Sequence, residues 1–169
     1  MDASSRKILG LMSEMNVRFV VPVYQRPYSW GEEQCTQLWD DILACGRRPG
    51  SSHFTGSIVT IQDGQLSAEG VAPLLLIDGQ QRITTIMLLL VALARYAGSH
   101  GGRGLSFSRE EILLSGYLTN HYRSGEDFYK LTLSKDDREA YRGLIDALAH
   151  DAPVSLPAGS HLAENLALF

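Results

Sequence analysis

One segment, LLLIDGQQRITTIMLLLVALARY at residues 74–96, limits the folds open to this chain more than any other. Leu74–Ile77 is a short, wholly apolar run of the kind that forms a buried strand. Apolar residues at helical spacing continue from about Gln81 to Tyr96, and Gly98 is suited to end that helix. A buried strand that passes through five polar or small residues into a buried helix predicts a strand–helix unit in a layered domain.

The remaining chain mixes strand-like and helix-like segments, which predicts an α+β domain. Strand patterns precede the junction at Val17–Val23 and Phe54–Gln62. Between them, Ser29 and Glu32 have the spacing of a capping box for a helix that ends near Gly46. Three further elements are expected after the junction: a helix opened by Ser108 and Glu111 that ends near Asn120, a strand at Phe128–Leu133, and a helix from Lys135 to about Ala149.

Composition excludes some classes of protein. The 169 residues are 44% hydrophobic and 20% charged, which fits one globular domain with a single core. A net charge of −4 gives no general basic excess, so charge alone does not indicate a nucleic-acid binder. Cys35 and Cys45 lack metal-ligand spacing and are expected to be reduced. No signal peptide is recognisable, and the apolar run at 83–94 is too short to cross a bilayer, so we expect a cytoplasmic protein.

The end of the chain differs in composition from the rest. Residues 151–159 carry two prolines and are typical of a linker, so we expect a domain over residues 1–150. The following SHLAENLALF ends on an apolar helix pattern. We expect residues 151–169 to be the linker and the start of a truncated helical region, and the chain to be a fragment of a longer protein. The alternative is a terminal helix that docks on the domain.

The junction Asp78–Arg82 has the chemistry of a phosphate site. The first N–H groups of a helix lack intrahelical acceptors and favour an anion, and Gly79 lets a ligand approach the backbone. Arg82 offers a planar fork of donors for phosphate oxygens, whereas Gln80 and Gln81 can donate and accept. Asp78 can cap the helix, orient Arg82 or hold a magnesium ion. The alternative is an ordinary turn with an Asp78–Arg82 pair, and the sequence is not a P-loop.

A second polar cluster, YQRPYSW at residues 24–30, also follows a predicted strand and precedes a predicted helix. Both clusters contain a Gln-Arg pair, and ligands of α/β proteins usually lie where the carboxyl ends of strands meet. We therefore expect the two loops to lie side by side. Tyr24 and Tyr28 can stack on a base or line a pocket, with core packing as the alternative, which we favour for Trp30.

The two motifs together resemble a known family. FVVPVYQRPYSWGEEQCTQLWDDI, HFTGSIV and LLIDGQQRITTIMLLLVAL are similar to the N-terminal domain of GmrSD-type modification-dependent restriction proteins, which include SspE-like members. The resemblance is strong over residues 17–96 and looser over 129–145. It implies a core of ParB/sulfiredoxin-like fold, a mixed sheet with helices packed around it and a helical C-terminal part.

The resemblance also implies that this domain binds and hydrolyses an NTP, GTP or ATP, with Mg²⁺. Asp41 and Phe54-x-Gly56 match further family positions without a firm role. The nucleotide-binding residues implied are Gln25, Arg26, Asp78, Gly79, Gln80, Gln81 and Arg82. Those with an implied catalytic role are Asp78, Gln80, Gln81 and Arg82, and Asp78 is the implied metal ligand. The DNA-binding residues implied are Tyr24, Gln25, Arg26, Pro27, Tyr28 and Trp30.

Family members often carry an HNH-type nuclease domain after this domain and act in anti-phage defence. Some restrict DNA with modified bases, and SspE-like members sense phosphorothioate in the DNA backbone. No HNH signature is present in this chain, whose five histidines are scattered. We expect an NTP-hydrolysing sensor of modified DNA, with phosphorothioate as the favoured modification. The alternatives are a non-catalytic module that recognises modified bases and a structural domain that positions a nuclease. GRRPGSSH, residues 46–53, is a candidate for added contacts to the DNA backbone, or a solvated loop.

Overall fold

A computed structural model describes residues 4–64, 66–68, 70–101 and 104–169 of the protein. It is an α+β domain, as the sequence predicts. The helices are α1 (Ile8–Met12), α2 (Glu32–Gly46), α3 (Gln80–Ser99), α4 (Arg109–Leu114), α5 (Lys135–Ala149) and α6 (His161–Leu168), with a 3₁₀ turn at Gly125–Phe128. The strands are β1 (Val17–Val20), β2 (Val59–Gln62), β3 (Ala72–Asp78) and β4 (Leu131–Thr132).

The strands form one mixed sheet in the order β2-β3-β1-β4. β1 runs parallel to both β3 and β4, with Phe19 opposite Leu74 on one side and Leu131 on the other. β2 pairs antiparallel with β3 at the edge of the sheet. Because β1, β3 and β4 are parallel, their carboxyl ends meet at one edge of the sheet, where both sequence motifs begin.

The long helix α3 is the centre of the core. Ile83, Met87, Leu88 and Val91 are fully buried, and α3 packs against α4, α5 and α6. With 20 residues and a mean hydropathy of 1.3, α3 is long and apolar enough to cross a membrane by length and composition. This corrects the expectation that the apolar segment at residues 83–94 is too short to cross a bilayer. Since 61% of its most apolar stretch is buried inside the protein, its role in the core accounts for that composition.

The start of α2 differs from the prediction. The N-cap is Gly31, whose N–H donates to Gln34 Oε1 at 2.9 Å, and not Ser29. Ser29 lies in an extended loop, where its N–H is bound by Gln81, so the helix begins later in the chain. The capping box of Ser108 and Glu111 is confirmed, because each side chain accepts a hydrogen bond from the other's backbone N–H.

Three strands are shorter than the sequence predicts, and the first of them, β1, ends at Val20 rather than at Val23. Residues 54–58 lie outside the sheet, because Gly56 has a φ of +101° and Ser57 O accepts a hydrogen bond from Arg82. β4 contains only Leu131–Thr132, and the 3₁₀ turn precedes it. α4 ends at residue 114 rather than near 120, since Gly116 then turns the chain with a φ of +79°. Helix α5 has the predicted bounds.

The C-terminal helix α6 packs against α2 and α3. Leu162 and Leu166 belong to the hydrophobic core, and the Phe169 ring lies 6.1 Å from that of Trp39 in α2. Residues 161–169 therefore share one core with the helices that precede them.

Candidate functional site

The two motifs lie side by side at the carboxyl edge of the sheet, which confirms the prediction that they would meet. The loop of residues 21–31 follows β1, and the DGQQR junction follows β3. Gln25 Nε2 donates to Ile77 O, the last carbonyl before the junction, at 3.2 Å. Gln80 Nε2 donates in turn to Gln25 Oε1 at 3.3 Å and to Arg26 O at 3.4 Å. Sheet topology thus brings residues about fifty apart in sequence into direct contact.

Gln81 binds the same loop one turn further. Its Nε2 donates to Pro27 O at 3.1 Å, and its Oε1 accepts from the N–H groups of Ser29 at 2.8 Å and Trp30 at 3.2 Å. Gln81 is also buried. Its amide is therefore engaged on both sides with loop backbone, which makes Gln81 a residue that shapes the loop.

Two other helices hold the loop backbone. The N–H of Tyr28 donates to Asp137 Oδ2, in the first turn of α5, at 2.7 Å. Trp30 O accepts from Asn165 Nδ2, on α6, at 2.6 Å. Together with Gln81 on α3, side chains from three helices bind five backbone groups of this segment: Pro27 O, Trp30 O and the N–H groups of residues 28–30. A loop without regular secondary structure needs such partners when it lies against a core.

Tyr28 points into the core rather than to the surface. Its side chain is 6% exposed, and its hydroxyl lies 2.7 Å from Thr85 Oγ1 and accepts from Asn165 Nδ2 at 2.9 Å. Burial raises the pKa of Tyr28 and also that of the neighbouring Cys35 thiol, 3.6 Å away. The core-packing alternative therefore holds for Tyr28. Trp30 also packs partly buried against the core, while Tyr24 is 72% exposed.

Arg82 contacts a different loop from the two glutamines. Its Nη1 donates to Ser57 O at 2.9 Å, and its guanidinium lies over Gly56. A Cβ at residue 56 would come within 2.6 Å of Arg82 Cζ, and the φ of +101° also favours glycine there. Glycine in the sequence Phe54-x-Gly56 thus has a physical role, which is to let the arginine lie across the loop.

Asp78 and Gly79 form the tight turn between β3 and α3. Asp78 Oδ1 accepts from the Gly79 N–H at 2.8 Å, and the carboxylate is exposed. Gly79 has a φ of +88°, and a Cβ there would lie 3.1 Å from both Ile58 Cγ1 and Ser57 O. The alternative of an Asp78–Arg82 ion pair is not seen, since no salt bridge joins these two residues.

The cationic side chains at this edge suit an anion. Within the part of the chain that the structure describes, neither Arg26 nor Arg82 forms an ion pair. The first N–H groups of α3 lack intrahelical acceptors. No group of three or more His, Cys, Asp or Glu among the described residues could by itself hold a metal ion. A cation here would need ligands from its anion besides Asp78.

The loop GRRPGSSH lies beside α2. His53 Nε2 is 3.3 Å from Asp41 Oδ2, which gives a contact to the previously unassigned family position Asp41. Arg47 and Arg48 are exposed and have no ion-pair partner in the described residues. Within the described part of the chain, no hydrogen bond or ion pair joins the side chains of these two arginines to the DGQQR junction.

Sequence reasoning missed three residues that shape the site: Thr85, Asp137 and Asn165. Asp137 lies in the KDD segment of residues 135–137, inside the looser part of the resemblance. Asn165 carried a usable signal, because it shares a helical stripe with Leu162, Leu166 and Phe169. A polar residue on an apolar stripe indicates a buried hydrogen bond.

These features define an α+β domain with a candidate anion site at the carboxyl edge of a mixed sheet. A sequence model of the GmrSD restriction endonuclease N-terminal domain matches residues 8–156. The chain belongs to this family and is thus part of a modification-dependent restriction protein. No curated protein matches the chain.

Proposed function

We propose that the domain binds and hydrolyses a nucleoside triphosphate, GTP or ATP, and thereby senses modified DNA. The observation that carries this proposal is the position of Arg82 in the first turn of α3. Its guanidinium is held by a hydrogen bond to Ser57 O and has no ion-pair partner among the described residues. A guanidinium beside a helix N-terminus is a favourable environment for phosphate. Both the DGQQR sequence and this geometry support the proposal.

The residues fit a nucleotide with Mg²⁺ in three respects. Arg82 retains donors besides the one bound to Ser57 O, and Arg26 is exposed on the neighbouring loop. Asp78 uses Oδ1 for the Gly79 N–H and leaves Oδ2 for a cation. Mg²⁺ in phosphate sites often takes only one or two carboxylates plus phosphate oxygens. A bound Mg²⁺ would neutralise phosphate charge, and Asp78 would orient it.

The glutamines divide into different roles. Gln81 uses both ends of its amide to hold residues 27–30, so its role is to position the loop. Gln80 uses only Nε2 in its contacts to Gln25 and Arg26. Its Oε1 has no hydrogen-bond partner in the described residues, so Gln80 is the glutamine suited to accept from a ribose hydroxyl or a water.

For DNA, we propose that three exposed residues of the YQRPYSW cluster, Tyr24, Arg26 and Pro27, contact the modified site. Phosphorothioate is the favoured modification. Arg26 would hold the phosphate, while Tyr24 and Pro27 would supply an apolar wall for sulfur. In the full-length protein an HNH-type nuclease domain would act on the DNA that is sensed here.

One observation favours a second function, a non-catalytic module that recognises modified bases and positions a separate nuclease domain. Both ends of the Gln81 amide bind the loop and the side chain is buried, so we do not expect Gln81 to orient an attacking water. In this alternative the DGQQR junction only holds the loop of residues 21–31 in place, and that loop binds DNA without nucleotide turnover.

Thermal-shift titrations with ATP, GTP, CTP and UTP in the presence of Mg²⁺ distinguish the two functions when combined with phosphate-release assays. A specific nucleotide should raise the Tm in a concentration-dependent manner. Turnover of that nucleotide supports the first function. Modified-DNA binding with neither a Tm shift nor phosphate release would support the second and contradict the first.

A further inference from the structure

The C-terminal helix α6 contributes a buried polar side chain to the loop that carries the YQRPYSW cluster. Asn165 is 1% exposed, and its Nδ2 donates to the Tyr28 hydroxyl at 2.9 Å and to Trp30 O at 2.6 Å. The family match ends at residue 156, before α6 begins. Asn165 is therefore joined to the motif by structure and lies outside the matched residues.

We propose that Asn165 is a positioning residue for the candidate anion site at the carboxyl edge of the sheet. Docking of α6 sets the conformation of residues 28–30, and Gln81 links these residues to the start of α3. The proposal rests on the proposed nucleotide function for its effect on binding. Its structural part, the control of the loop by α6, can be measured without any nucleotide.

The hydrogen bonds form a continuous route from α6 to the junction. Trp30 is bound on its carbonyl by Asn165 and on its N–H by Gln81 Oε1. Gln81 immediately precedes Arg82 in the first turn of α3. Loss of the Asn165 contact releases Trp30 O, on the peptide group next to the one whose N–H binds Gln81, so the Gln81 contact no longer meets a fixed partner.

The choice of asparagine at this position is not explained by packing. Leu162 and Leu166 on the same stripe are buried among apolar residues, and a leucine would fill the volume of Asn165 without the need for hydrogen-bond partners. An amide is present there, although its burial costs free energy unless its polar atoms are hydrogen-bonded. Each of its two protons has an acceptor, the Tyr28 hydroxyl and Trp30 O, and both acceptors belong to the motif loop.

The coupling must act in both directions. If a docked α6 favours the nucleotide-binding conformation of the loop, then a bound nucleotide must favour docking of α6 by the same factor. Addition of MgGTP or MgATP should therefore slow hydrogen exchange in residues 161–168 as well as at the junction, although these segments are far apart in sequence.

The functional test compares Asn165→Leu with Ile112→Ala, using the whole chain. Ile112 is a core residue of α4, so its truncation lowers stability without removing any hydrogen bond of the loop. Asn165→Leu should weaken MgGTP or MgATP binding about 10-fold, and Ile112→Ala should change it less than about 2-fold at a temperature where both are folded. Equal weakening by the two variants would show that Asn165 acts only through stability.

A spectroscopic test needs no nucleotide. The chain has two tryptophans, Trp30 and Trp39, so Trp39→Phe leaves Trp30 as the only indole. In that background Asn165→Leu should shift the Trp30 emission maximum and increase quenching by acrylamide, and Ile112→Ala should do neither. Unchanged Trp30 emission with Asn165→Leu would overturn the inference. Absence of nucleotide binding by the wild-type protein, with the emission shift present, would instead overturn the proposed function.

Discussion

The side-chain Oε1 of Gln81 accepts a hydrogen bond of 2.8 Å from the backbone N–H of Ser29, which lies 52 residues earlier in the chain. This contact shows how the DGQQR junction is divided between two loops. The glutamines bind the loop after β1, and Arg82 binds the loop before β2 through Ser57 O. A substitution at the junction is therefore expected to change the conformation of both the loop after β1 and the loop before β2.

Replacement of Gln81 by leucine should destabilise the domain. It leaves the Ser29 and Trp30 N–H groups and Pro27 O without their partner, at a cost of about 1–3 kcal/mol. Chemical denaturation measures the loss. Gln37→Leu is the matched control, because Gln37 is exposed on α2 and the hydrogen bond of its side chain among the described residues is to Asp41, so its effect should stay within about 0.5 kcal/mol. Equal effects of the two substitutions would contradict the structural role of Gln81.

Removal of either charge at the junction should weaken nucleotide binding. Arg82→Ala and Asp78→Ala are each expected to lower affinity or turnover about 10–100-fold, because each removes a charged contact to phosphate or metal. Calorimetry with the preferred nucleotide measures the change. Arg95→Ala, on the exposed face of the same helix, is the control and should bind like the wild type. Wild-type affinity and turnover in folded Arg82→Ala and Asp78→Ala proteins would refute the site assignment.

Substitution of Gly56 should act through Arg82. In Gly56→Ala the new Cβ would meet the guanidinium at 2.6 Å and displace it, and the φ of +101° would add backbone strain. Nucleotide affinity is expected to fall about as far as in Arg82→Ala. The double variant should bind no more weakly than Arg82→Ala alone, because both changes remove the same contact. Additive losses in affinity would mean that Gly56 contributes to the site independently of Arg82.

Much of this architecture follows from local patterns in the sequence. The α+β class, the bounds of α5 and the strand-to-helix junction at residue 78 were predictable, because apolar periodicity and turn residues are local signals. The proximity of the two motifs was predictable because both follow strands that turned out to be parallel and adjacent.

The orientation of individual side chains was not predictable in the same way. Tyr28 and Tyr24 flank the same Gln-Arg pair, but one points into the core and the other to the surface. The difference depends on Thr85 and Asn165, which lie 57 and 137 residues away from Tyr28 in sequence. Likewise, residues 54–58 have a strand-like composition, but the contacts of Gly56 and Ser57 with Arg82 keep them out of the sheet.

Stability should rise with pH between about 8 and 10 because of Lys130. This side chain is 1% exposed and donates to Glu14 O, and burial lowers its pKa from 10.5 to about 8. At Lys130 the unfolded chain then binds more protons than the folded one in this range, so this group adds about 2 kcal/mol to the free energy of unfolding from pH 7 to 9.5. Denaturation curves across this range, compared with Lys130→Met, isolate the effect. A slope unchanged in Lys130→Met would assign it to other groups.

Recognition of phosphorothioate would depend on the exposed residues of the YQRPYSW cluster. Sulfur is larger, softer and more weakly hydrated than oxygen, so it favours a partly apolar surface over a purely basic one. Tyr24 is exposed and can provide that surface, whereas the ring of Tyr28 is buried. Arg47 is exposed on the GRRPGSSH loop and can contribute only a charge that does not distinguish sulfur from oxygen.

We therefore expect Tyr24→Ala to narrow the preference for phosphorothioate DNA over plain DNA more than Arg47→Ala does, while Arg47→Ala lowers affinity for both duplexes about equally. Tyr28→Phe should lower stability and leave the ratio of the two affinities unchanged, because it removes the hydroxyl bound to Thr85 and Asn165. Competition between sulfur-containing, base-modified and plain duplexes of one sequence, at a stated salt concentration, measures the ratios. Equal affinity for the sulfur-containing and plain duplexes would exclude phosphorothioate sensing by this domain. A preference for the base-modified duplex would favour the second function.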